Sequence, residues 1–447
     1  MAESISSLFS TPAMIATFSS STHVRSMLLF EAALARAESR AGIISSETAD
    51  AIALHCREEF FDIAALYREA ALAGTPAIPL VRMLTARVGG EASKFVHWGA
   101  TSQDAIDTAL MLQMRDGIDL LLAELLALCE ACATLATRYR HTPMVGRTLL
   151  QQALPITFGL KAARWLALVM RQVITLRERR ERTLAVQLGG AAGTLASLGE
   201  KGPQVVELLA AELHLPAPEL PWHSERDRIA EIAGTLGVIA GSLLKIAGDV
   251  VLLAQTEVGE ASEEALPGKG GSSAMPQKHN PVDATRAIAA ARLAIGEVPV
   301  LLSAMAQEHE RAAGGWQTEW AAIPNLFCST AGAAEAVRNT VVHLKIDIAR
   351  MQANLDLTAG LIMAESLTMA LAAHMGRPEA YRIVQDLCKR VIPAKNDLRQ
   401  LALTDARVCS ILSSEEVALA LDPAAYTGSA DLFIDRALEA YHKTRPA

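Results

Sequence analysis

From Thr101 to about Arg140 the chain contains no proline and a single glycine, Gly117. That run predicts one helix, roughly 55 Å long at a rise of 1.5 Å per residue. It is apolar on most sides, and such a helix is buried on several faces at once. A small domain does not offer that much covering surface. The run therefore implies a bundle of long helices that also packs against other subunits. Further long helices are expected from Pro155, from the segment after His223 to about Glu257, from Pro281 to about Glu308 and from Asn325 to about Met351. The composition agrees, because the 51% hydrophobic content includes only 4% aromatic residues. Alanine and leucine supply most of the rest and favour helix over sheet. The fold class is all-α, with strands minor.

A chain of 447 residues exceeds what one core usually serves. Three domains are expected: a small helical domain over 1–99, a central long-helix bundle over 100–353, and a C-terminal helical domain over 354–447. Within the first, His23 to Ala41 has helical apolar spacing, and Gly74-Thr75-Pro76-Ala77-Ile78-Pro79 reads as an interhelix turn. The net charge of −8 argues against a nucleic-acid partner. Residues 1–10 show no basic stretch leading into an apolar one, so no signal peptide is expected. The most apolar segment, Ile232 to Leu244, is short for a membrane span and lies between Glu231 and Lys245. Six scattered cysteines suit a reducing, cytoplasmic setting better than a disulfide framework or a metal site.

Three polar breaks interrupt this apolar pattern, each at the end of a long helix. The first holds Thr101, Ser102 and Gln103, and the second holds His141, Arg147, Thr148 and Gln151. The third is the loop 268–281, where three glycines in four positions precede Ser272, Ser273, Met275, Pro276, Lys278, Asn280 and Pro281. Asn280 and Pro281 read as N-cap and first helical residue, placing the loop at a helix N-terminus with free N–H groups for an anion. Ordinary capping accounts for Ser102 and Asn280. It accounts poorly for Arg147, for Lys278 and for the glycine run, which together suit a polycarboxylate ligand.

The loop also matches every fixed position of Gly-Ser-Ser-x-Met-Pro-x-Lys-x-Asn-Pro, and so resembles the signature of the fumarase/aspartase superfamily. The other two breaks are similar to the superfamily's first and second regions, in the same chain order. The resemblance implies a homotetramer whose active sites each draw on several subunits. It also implies elimination or addition next to a carboxylate through an aci-carboxylate intermediate. By the same resemblance Thr101, Ser102, Arg147, Thr148, Gln151, Lys278 and Asn280 bind the substrate, Lys278 stabilises the intermediate and Ser272 transfers a proton. His141 is a further catalytic candidate, and His279 and His309 lie beside the same regions. No metal or organic cofactor is implied.

Two departures select a branch. Superfamily lyases and hydratases carry a histidine after Gly-Arg-Thr and a glutamate seven residues beyond the signature lysine. Leu149 and Thr285 stand at those positions, and neither does acid–base work near neutral pH. A reaction whose nucleophile is the substrate's own carboxylate needs no such pair, and intramolecular attack gains an effective molarity of ~10⁵ M or more. Leu29 to Glu38, His97 to Asp104, Gln307 to Arg311 with Trp316, Glu319 and Trp320, and Asn354 to Thr358 resemble the branch that does this, the bacterial 3-carboxy-cis,cis-muconate cycloisomerases. The resemblance leaves open a sulfomuconate-specific variant, an atypical lyase acting on a fumarate-type substrate, and a structural protein derived from the superfamily.

Overall fold

The computed structural model describes residues 5–265 and 268–444. Helices dominate. Among the described residues, strands occur only as two short antiparallel pairs, β1 (Pro143–Thr148) with β2 (Gln151–Thr157) and β3 (Ala261–Glu263) with β4 (Leu344–Ile346). Five long helices carry the architecture: Ser102–Arg138, Phe158–Thr183, Asp227–Leu253, Val282–Ser303 and Gly315–Val342. The chain forms two compact units. One comprises 1–125, 172–244 and 286–336, the other 126–171, 245–285 and 337–447, so each long helix contributes to both.

In the first unit, Leu28, Leu66, Leu80, Leu84, Ile106 and Trp316 form a buried apolar cluster. Beside it lies a buried ionic group. The Arg226 guanidinium, 2% exposed, bonds both Asp107 oxygens at 2.8 and 3.0 Å and reaches Glu319 at 2.9 and 2.5 Å. Trp316 Nε1 donates to Asp107 at 2.9 Å. Two carboxylates thus share one guanidinium, and burial raises the Glu319 pKa despite Arg226. In the second unit, Leu367, Leu371, Ile383, Leu387 and Leu398 form the core of the C-terminal helices.

Several boundaries differ from expectation, each for a local reason. Pro155 does not open a helix but lies in β2 opposite Val145, next to the register shift of the hairpin, where a missing N–H is tolerated. The helix starts at Phe158, with Thr157 Oγ1 accepting the Leu160 N–H at 3.0 Å. Asn325 does not begin a helix either, because the 315–342 helix runs through Pro324. The helix after the loop begins at Val282 and stops at Ser303 rather than Glu308. The Pro281 carbonyl accepts the Thr285 N–H at 3.0 Å, so Pro281 holds the cap position and Asn280 lies outside the helix. The apolar segment 232–244 is part of a 27-residue helix. That helix and Ser102–Arg138 are both long and apolar enough to cross a bilayer by length and composition. Length therefore does not exclude a span, although Glu231, Lys245 and Asp249 interrupt the 227–253 helix.

The helix Ser20–Arg40 carries an unpaired acid. Glu38 is 0% exposed, neither carboxylate oxygen has a partner, and burial together with nearby Glu31 pushes its pKa up to about 9. A group held at about 9 when folded and near 4.5 when unfolded favours the folded state fully below 4.5. That contribution fades as pH rises towards 9, by at most about 1.4 kcal/mol per pH unit. Glu38→Gln is expected to stabilise the protein at pH 8 relative to wild type and to flatten the pH dependence of Tm between 5 and 9, as read by calorimetry.

Candidate active site

The first polar break sits where the 102–138 helix begins. Asp104 in its first turn is fully buried and accepts four hydrogen bonds. The Thr101 N–H reaches Oδ2 at 2.9 Å, the Gly189 and Gly190 N–H groups reach Oδ1 and Oδ2 at 3.0 Å each, and His223 Nε2 lies 2.6 Å from Oδ1. One side chain thus fastens the Thr101 turn, the glycine-rich turn after 188 and the segment ahead of the 227–253 helix. His97, one turn earlier, holds Glu31 at 2.6 Å. Burial opposes its protonation, yet Glu31 and Asp104 outweigh that and raise its pKa.

Thr101 has a cationic neighbour absent from the expected site residues. Arg311 Nη1 donates to Thr101 Oγ1 at 3.1 Å and Nη2 to the Ala191 carbonyl at 3.1 Å, while buried Nε has no partner. No carboxylate pairs with this guanidinium among the described residues. A half-buried cation beside a motif hydroxyl, with no protein acid to neutralise it, suits an anionic ligand. In the sequence Arg311 was visible only within the Gln307–Arg311 stretch, where nothing marked its distance from Thr101.

The second break is the tip of the β1–β2 hairpin. Thr148 pairs with Gln151, so Leu149 and Leu150 form a two-residue turn with φ of 50° and 64°. Such turns favour Asn-Gly; here two leucines occupy left-handed conformations while 96% and 75% exposed. Thr148 and Gln151 flank them at the surface. Arg147 faces inward and is already engaged: Glu260, fully buried, takes both terminal nitrogens at 2.7 and 2.9 Å. Asn354 Nδ2 also donates to Glu260 at 2.8 Å, and Gln152 Nε2 donates to the Asn354 carbonyl at 3.1 Å. Arg147 therefore anchors the hairpin to the strand that leads into the signature loop. His141 is 77% exposed and lies 3.5 Å from Asp431.

The signature loop is closed at its base. The Asn280 N–H and side-chain amide both bond the Gly270 carbonyl, at 2.8 and 3.3 Å. Gly270 has φ +77°, and a Cβ there would lie 2.9 Å from the Asn280 oxygen, so the closure requires glycine. The helix N-terminus that the sequence offered to an anion is occupied by the protein itself. Glu263 accepts the Asp283 and Ala284 N–H groups at 3.1 and 2.7 Å. Lys269 bridges Glu263 and Asp283 at 3.4 and 2.6 Å, and these acids hold its pKa up against partial burial. At the tip, Ser272 Oγ accepts the Ala274 and Met275 N–H groups at 3.4 and 3.1 Å. Lys278 is exposed and unpaired among the described residues, and His279 and His309 are exposed as well. Thr285 Oγ1 donates to the Val282 carbonyl at 2.9 Å, so its only proton is engaged within its own helix.

Hydroxyls, an amide and the unpaired Lys278 are thus displayed by the three breaks, with Arg311 beside the first and Asp104, Glu260 and Glu263 bonded internally. A family model described as Lyase matches residues 8–296, and one described as Adenylosuccinate lyase C-terminus matches 360–437. The chain belongs to this lyase family, within the fumarase/aspartase superfamily. Among its relatives, the 3-carboxy-cis,cis-muconate cycloisomerase of Bradyrhizobium diazoefficiens is 47% identical over 98% of this chain and 97% of its own. That of Pseudomonas aeruginosa is 46% identical over 96% and 94%. The crystal structure of the 3-carboxy-cis,cis-muconate lactonizing enzyme from Pseudomonas putida superposes with a TM-score of 0.92 at 42% identity, covering 98% of both chains.

Replacing Leu149-Leu150 by Asn-Gly is expected to stabilise the protein, since each left-handed leucine costs roughly 1–2 kcal/mol. Thermal unfolding reads the gain. A loss of stability would show that the leucine side chains hold the hairpin in place.

Proposed function

We propose that the chain is a 3-carboxy-cis,cis-muconate cycloisomerase, forming 4-carboxymuconolactone by intramolecular addition in protocatechuate (beta-ketoadipate pathway) degradation. The observation that carries this reading is an intact signature loop beside a missing dyad: Leu149 at an exposed turn, Thr285 bonded to its own helix. One substrate carboxylate oxygen forms a C–O bond to the diene. The displaced electron pair moves to the carbon next to another carboxylate, giving an aci-carboxylate dianion. A proton added at that carbon completes the lactone, and no water or amine is handled.

The charge that develops on the carboxylate needs preorganised donors. Lys278 and Asn280 supply them on the loop, Thr101, Ser102 and Arg311 at the first break, and Thr148 and Gln151 at the hairpin. Arg147 acts through the hairpin it anchors. Ser272 is the proton-transferring residue. Its oxygen receives two backbone N–H groups, which favour partial negative charge on it as its proton leaves. His141 is a second candidate, with Asp431 3.5 Å from its Nδ1.

The active form is a cytoplasmic homotetramer with sites shared between subunits. Exposed Val238 and Leu252 on the 227–253 helix, and Leu293, Val300 and Leu302 on the 282–303 helix, support that assembly. Light scattering checks it, and a monomer would exclude it.

Mixing the protein, freed of metal, with 3-carboxy-cis,cis-muconate should remove the conjugated-diene absorbance and give lactone by NMR. An inert protein that retains its assembly would exclude the reading. Lys278→Met is expected to lower kcat by about 10²–10³ with little change in KM, as for loss of one oxyanion donor. Arg311→Met should instead raise KM, with Arg311→Lys recovering part of the loss; an unchanged KM would remove Arg311 from the site.

A further inference from the structure

A cavity of about 510 Å³ opens in the first compact unit between the start of the Ser20–Arg40 helix, the 74–76 turn and the 102–138 and 315–342 helices. Its size lies within the range of small-molecule sites. Its lining includes Phe18, Tyr67, Ile106, Leu110 and Trp320, and no Asp, Glu, Lys or Arg. A polycarboxylate would lose its hydration there without meeting a cation, so this is not a place for the substrate.

One polar group in the lining has its chemistry fixed by its neighbours. Gln113 Nε2 donates to the Thr17 carbonyl at 2.8 Å, which orients the amide and turns Oε1 towards His23 Nδ1, 2.8 Å away. An amide oxygen only accepts, so Nδ1 carries the hydrogen and Nε2 is a bare acceptor. Burial lowers the His23 pKa and keeps the ring neutral, with Gln113 opposing. Nε2 has no partner among the described residues. The cavity therefore presents mostly aromatic and aliphatic walls with a few hydroxyls (Ser19, Ser20, Tyr67, Thr75), no charged lining residue, and a bare acceptor at His23 Nε2. A ligand that satisfies all three is neutral, has a flat apolar body and carries a hydroxyl donor.

We propose that this cavity binds a neutral single-ring phenol, whose hydroxyl donates to His23 Nε2 while its ring lies among Tyr67, Leu110 and Trp320. The site is separate from that of the polycarboxylate substrate. Trp320 in the wall supplies a fluorescence signal.

The test titrates the full-length protein with phenol, anisole and benzoate, read by tryptophan fluorescence and by calorimetry. Phenol is expected to bind roughly five- to ten-fold tighter than anisole, which has the ring but no donor, as one neutral hydrogen bond supplies. Benzoate should not bind, and His23→Phe should abolish the phenol–anisole difference. Equal binding of phenol and anisole by wild type overturns the proposal, as does binding of neither. Phenol acting as a competitor that raises KM alone would place it in the substrate site and overturn it too. The wild-type ratio decides the matter even where His23→Phe does not fold.

Discussion

Arg226 is the tie on which the first compact unit depends. Its guanidinium draws Asp107 of one long helix and Glu319 of another to the residue that begins a third. Removing one member of a buried ionic group typically costs 3–5 kcal/mol, because the others stay buried without a partner. Here the loss of Arg226 would leave two facing carboxylates. The same helix that supplies Asp107 supplies Asp104 three residues earlier, so the clamp between helices and the support of the Thr101 turn share one rigid rod.

Buried acids do comparable work at each motif. Asp104 gathers backbone N–H groups beneath Thr101, Glu260 holds Arg147 beneath the hairpin, and Glu263 caps the helix beneath the signature loop. The side chains of all three are buried and bonded to protein donors. Because these three carboxylates are matched with structural donors, none of them neutralises Lys278 or Arg311. In a chain of net charge −8, these cations stay without an acid through local sorting rather than through an excess of basic residues.

The helices and the motif loops were legible because each rests on local signals. The uninterrupted run after Thr101 gave a helix ending at Arg138, and the glycine run gave the loop. What was not legible depends on contacts far apart in sequence. Pro155 looked like a helix start until its strand found a partner at Val145. The helix N-terminus after Pro281 looked open to an anion, but Glu263, some twenty residues earlier, fills it. Arg147 looked like a ligand-binding cation for want of any sign that Glu260 would meet it. Arg311 shows the reverse case, an ordinary arginine that tertiary structure brings to Thr101, 210 positions away.

The pairing of Asn280 with Gly270 has a consequence for how the signature loop orders. Joining the ends of a flexible segment carries an entropic cost that grows as about (3/2)RT ln n. In this chain the ends are joined by the protein's own hydrogen bonds, and Lys269 pins the same base to Glu263 and Asp283. The loop from Gly271 to His279 is a closed ring on a fixed pivot. A ring closed in this way samples fewer conformations than an open chain of the same length.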